Sequence, residues 1–93
     1  MELETQALID SGMAWRLEGS IGRQCMAAIE AGAAILGPRP VRDYWGNLVP
    51  AWWMITAGEI GSPEHADMDR PEEPSDDEKV RLCAAVGVRY TPR

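Results

Sequence analysis

Prolines and glycines cut this chain into short pieces, which limits it to short elements joined by turns. Gly12, Gly32 and Gly37 interrupt the first part, and Pro38, Pro40, Gly46 and Pro50 the middle. Gly58, Gly61, Pro63, Pro71 and Pro74 break the stretch that follows. Proline fixes φ and removes a backbone donor, and a glycine just past the last turn is a common helix stop. Helices are therefore expected at residues 2–11, from residue 20 to Gly32 with an extension towards Gly37 left open, and at 75–86 before Gly87.

Local chemistry supports these three pieces. Leu3, Ala7, Leu8 and Ile9 give the first an apolar face, and Glu2 and Glu4 suit its positive end. In the second, Ser20 offers an N-cap, and Ile21, Cys25, Ala28 and Ile29 fall along one stripe of an alanine-rich body. The third opens on Ser75-Asp76-Asp77-Glu78, a capping box, and continues through Val80, Leu82, Cys83 and Val86. Residues 13–17 read equally as a helical turn or an extended bridge, because Met13, Trp15 and Leu17 alternate. A turn at Gly46-Asn47 and β-favouring residues at 51–56 predict a small hairpin, which needs a helix to pack on. Residues 88–91 are a further candidate strand. The expected fold is α+β and helix-dominated, with two or three short helices and a small β-hairpin. At 93 residues it is expected to be one small domain, with a mobile, acidic, proline-rich loop at 62–75.

Charge is segregated. The net charge is −6, yet residues 64–78 alone hold eight acids against Arg70, and residues 79–93 hold four basic residues and no acid. A net-negative chain is a poor general nucleic-acid binder, because phosphate contacts need lysine and arginine. No run of eighteen apolar residues is present, so no membrane-spanning helix is expected. Glu2 and Glu4 have the wrong sign for a signal peptide. Cys25 and Cys83, each among helix formers, are expected as small core residues in a reducing, cytoplasmic compartment.

Few residues offer chemistry. His65 is the single histidine and lies near Glu64, Asp67 and Asp69, which raises an oxygen-rich cation site; a surface histidine in an acidic loop is the preferred reading. Glu72-Glu73 and Asp76-Asp77 are expected to be hydrated rather than raised in pKa for acid–base work. A nucleophilic Cys25 or Cys83 needs a base, and only His65 is available. Ser20-Ile21-Gly22-Arg23 lacks the length and lysine of a phosphate loop. No catalytic residue, metal or cofactor is therefore expected. The aromatic residues are more informative: tryptophan, tyrosine and arginine anchor interfaces, and Trp52 and Trp53, being adjacent, are hard to bury together, although a small domain without phenylalanine also uses its tryptophans as core. Tyr44, Trp45, Trp52 and Trp53, with Glu64, Asp67, Asp69, Glu72 and Glu73, are the candidate partner-binding residues.

Residues 7–23 with Ile29-Glu30-Ala31-Gly32 form one distinctive stretch. Gly37-Pro38, then Arg42-Asp43-Tyr44-Trp45-Gly46-Asn47-Leu48-Val49-Pro50, with Gly61-Ser62-Pro63-Glu64, form another. Together they cover about half the chain and resemble small proteins of tailed bacteriophages and their actinobacterial hosts. The resemblance implies a phage or prophage accessory gene and brings no catalytic residue. The function expected is a non-enzymatic module that inhibits or sequesters a host protein or complex, in the manner of an anti-CRISPR inhibitor. The alternative is a minor virion or assembly protein that self-associates as a homo-oligomer.

Overall fold

The computed structural model describes residues 3–16 and 20–91. Among them are four α-helices and one antiparallel two-stranded hairpin, a small helix-dominated α+β fold. The helices are α1 (Leu3–Ser11), α2 (Met13–Arg16), α3 (Ser20–Glu30) and α4 (Asp76–Ala84). The strands are β1 (Val41–Arg42) and β2 (Leu48–Val49), paired Val41 to Val49 and Arg42 to Leu48.

Residues 34–37 have no regular structure, yet all four are buried and the chain is arranged around them. Buried backbone groups need partners. The Gln6 carboxamide supplies two, accepting from Ile35 N and donating to Ile35 O, each at 3.0 Å. Leu36 N donates to Gly61 O at 2.9 Å, and Trp52 N donates to Gly37 O at 3.1 Å. Three distant segments thus meet on one strand-like piece without forming a sheet.

Helix ends follow the breakers. After α3, Ala33 N donates to Ala28 O at 2.8 Å and Gly32 takes φ of 78°, a left-handed value that glycine adopts without a Cβ penalty. The helix therefore stops at the first of the two expected sites. After α4, Val88 N donates to Cys83 O at 2.9 Å and closes the end in the same way. At its start Ser75 Oγ accepts from Glu78 N at 3.3 Å, the serine half of the expected capping box. Of residues 13–17, Met13–Arg16 form a helical turn, begun by a reversal in which Gly12 N donates to Ile9 O, and Leu17 lies outside the described residues.

The core gathers Ile9, Trp15, Cys25, Ile29, Ile35, Leu36, Trp52, Trp53 and Cys83. α1, α2 and α3 pack on one another, and β1 leans on α2. Several expectations change. The hairpin turns at Gly46-Asn47 as expected, but its second strand is Leu48–Val49, and residues 52–54, expected as strand, form a 3₁₀ turn in which Met54 N bonds Ala51 O. Pro50 and the bond from Trp52 N to Gly37 O leave that segment no ladder to join. Residues 88–90 lie outside any strand. On α4 the buried positions are Lys79 and Cys83, whereas Val80 is 41% exposed. Within the acidic segment Ser62 and Pro63 are buried and Met68 packs on the core cluster, whereas Glu64, Asp67 and residues 69–73 are exposed.

Candidate functional site

Trp52 and Trp53, which the sequence offers either as core or as interface anchors, lie in the core, 2% and 9% exposed. The 3₁₀ turn makes this possible by directing both rings inwards over different neighbours. The Trp53 indole N–H donates to Pro38 O at 2.8 Å, and its ring meets Tyr90 edge to face at 5.8 Å. The Arg70 guanidinium lies over Trp52 at 5.0 Å. A buried indole N–H with a carbonyl partner is a stable core arrangement. These two residues leave the partner-binding set.

Tyr44 and Trp45 remain at the surface, 57% and 69% exposed, at the hairpin tip. The tip is held in shape. Asp43 Oδ1 accepts from Trp45 N at 2.9 Å and Asn47 N at 2.8 Å, the side-chain-to-backbone geometry of an Asx turn. Tyr44 N donates to Trp15 O at 2.7 Å. The Arg42 guanidinium ties the hairpin to the end of α4 through bonds of 3.0 and 2.7 Å to Val86 O, and braces the hairpin's own turn through one of 3.2 Å to Gly46 O. The two aromatic rings meet at 4.8 Å and 69°.

The acids divide into two groups. Glu64 bonds Arg70 at 2.5 Å, and Arg70 also approaches Glu73 at 3.5 Å. Glu73 in turn holds the Lys79 ammonium. Arg70 keeps the Glu64 carboxyl below its ordinary pKa, and Lys79 does the same for Glu73. Asp67, Asp69, Glu72, Asp76, Asp77 and Glu78 are exposed and have no ion-pair partner among the described residues. Asp67 takes a left-handed φ of 54°, a conformation that aspartate tolerates better than most residues. The strip is thus a series of free carboxylates that runs from Asp67 to the first turn of α4, on either side of the Arg70 and Lys79 ion pairs.

Lys79 escaped sequence reasoning, which counted it only as charge. It is 6% exposed, and its ammonium lies 5.3 Å from the Trp53 ring and 5.7 Å from the Tyr90 ring. A signal was available: positions 79, 82, 83 and 86 form one helical stripe, and three of them are apolar. Trp53, Glu73, Lys79 and Tyr90 border a cavity of about 580 Å³. The hydrogen bond to Glu73 raises the Lys79 pKa, so the group is a fixed cation there rather than an amine nucleophile.

The remaining polar candidates are committed elsewhere. His65 Nε2–H donates to Glu30 O at 3.0 Å, at the carbonyl end of α3. No three of His, Cys, Asp and Glu converge as a metal site among the described residues. Cys25 and Cys83 are free and buried, and burial pushes both thiols up in pKa, away from the thiolate a nucleophile needs. No helix among the described residues is long and apolar enough to cross a membrane. No known protein family, curated protein or solved structure matches the chain.

Proposed function

We propose that this chain is a non-enzymatic protein-binding module whose acidic strip docks on a basic surface of a host protein and blocks it. The observation that carries this reading is the set of six exposed carboxylates, Asp67, Asp69, Glu72, Asp76, Asp77 and Glu78, unpaired among the described residues and borne on a segment pinned by Arg70 and Lys79. Free carboxylates gathered along one strip present a negative field to a basic partner. A groove that binds nucleic acid is lined by lysine and arginine, and such a strip suits its walls. The resemblance to small phage proteins makes an antagonist of a bacterial defence complex, anti-CRISPR-like, the concrete version, acting in the host cytoplasm. The buried thiols and the committed histidine support a binding role over a catalytic one.

The test is affinity capture from a bacterial host lysate with the wild-type chain and with a variant in which the six free acids become amides. Capture of one stoichiometric basic partner by the wild type alone supports the proposal. Equal capture by both proteins refutes it. The second reading, a self-associating virion or assembly protein, draws on the exposed Tyr44 and Trp45 and predicts recovery of virion components instead.

A further inference from the structure

Beside the hairpin tip lies a groove of about 270 Å³ between α3 and the hairpin. Its floor is apolar, built from Ala14, Trp15 and Val49, and Trp45 and Met26 stand at its edges, 69% and 42% exposed. Arg23 lines the α3 side, and Asp43 lines the hairpin side. The Asp43 carboxylate is fixed in place by its two backbone bonds through Oδ1, and Oδ2 carries no hydrogen bond among the described residues.

We infer that this groove is the contact face of a two-fold symmetric dimer of the chain. The argument is the arrangement of sign. The groove carries one charge of each sign, Arg23 and Asp43, and is therefore complementary to a second copy of itself. A second copy related by a two-fold axis sets each Arg23 against the other copy's Asp43, and each Trp45 against the other's Met26 and groove floor. Two-fold contacts are self-complementary in this way and are the commonest form of oligomer. Tryptophan, tyrosine and arginine are also the side chains that dominate interface energies, and Met26 adapts its shape to a neighbouring ring. The contact uses α2, α3 and the hairpin, so the acidic strip stays free for its own partner. Each copy would carry one strip, giving a bivalent assembly.

Sedimentation equilibrium of the full chain, with no other component, tests this. The wild type is expected to show a reversible monomer–dimer equilibrium. Trp45→Ala and Met26→Glu change exposed side chains on two different elements, and each is expected to weaken the dimer at least about tenfold while leaving the circular dichroism spectrum unchanged. Arg23→Glu is expected to weaken it by placing like charges together. Adding Asp43→Asn, which keeps the Oδ1 acceptor of the turn, is expected to recover part of that loss. A wild type that stays monomeric into the millimolar range overturns the inference, as does a folded Trp45→Ala or Met26→Glu variant that dimerises as tightly as wild type. Amidating the six strip acids leaves the dimer intact, so a failure here is distinguishable from a failure of the proposed partner binding.

Discussion

Lys79 is the residue whose replacement tests the packing account most sharply. Its ammonium is held by Glu73 and two aromatic faces, and its stem is buried among them. Lys79→Ala removes three buried methylenes, worth about 0.8 kcal/mol each, or about 2.4 kcal/mol. The cation–π contacts add roughly 1–2 kcal/mol together. The pair with the half-exposed Glu73 adds at most about 1 kcal/mol, because solvent screens it. The expected loss is about 4 kcal/mol, large against a total of about 5–15 kcal/mol for a domain. Lys79→Met keeps an apolar stem and loses the cation–π contacts and the pair with Glu73, so its cost is about 1–3 kcal/mol. Urea unfolding followed by circular dichroism, at constant m-value, measures both. The pH dependence has a definite sign. The folded Glu73 carboxyl lies below its unfolded value of about 4.3, so its contribution is present above that pH and is lost as pH falls through the lowered value. The folded Lys79 lies above about 10.4, so its contribution is complete below that pH and is lost as pH rises through the raised value. Both arms are expected to flatten in Lys79→Met. A Lys79→Ala protein within about 0.5 kcal/mol of wild type, the range of an ordinary surface change, would refute the reasoning.

Other substitutions separate core from surface. Trp52→Ala is expected to cost about 3–5 kcal/mol in thermal or urea unfolding, and Trp45→Ala within about 0.5 kcal/mol, since only the first ring is buried. A Cβ at Gly61 would meet Leu36 Cγ and Cδ1 at 2.8 Å from a φ of 103°, so Gly61→Ala is expected to cost about 1–3 kcal/mol in urea unfolding. Ser75→Ala, which loses the bond from Glu78 N, is expected to cost about 1 kcal/mol. Cys25 and Cys83 are expected to resist a thiol reagent at neutral pH in the native protein and to react on unfolding; rapid native reaction would contradict their burial.

The helices were legible because their signals are local: Gly12, Gly32 and Gly87 as stops, Ser75 as a cap, and Cys25 with Ile29 on one stripe. What stayed hidden depends on distant partners. Trp52 and Trp53 both find burial only because residues 34–38 pass beside them and supply Gly37 O and Pro38 O. Pairing fixed the hairpin register, where β-propensity pointed several residues too far along the chain. The strip was visible as composition, but its division into paired Glu64 and Glu73 and free acids required Arg70 and Lys79 to be placed. Tyr44 and Trp45 could be named from sequence as anchors, whereas the groove beside them, which needs α3, could not.

The proposed role is tested most directly by competition on the captured host protein. A labelled nucleic acid is bound to it, and displacement is followed as this chain is added. Displacement by the wild type at stoichiometric concentration, abolished when Asp67, Asp69, Glu72, Asp76, Asp77 and Glu78 are amidated, is the predicted result. Displacement that survives amidation, or no displacement by the wild type, would contradict the claim that the acidic strip is the binding surface.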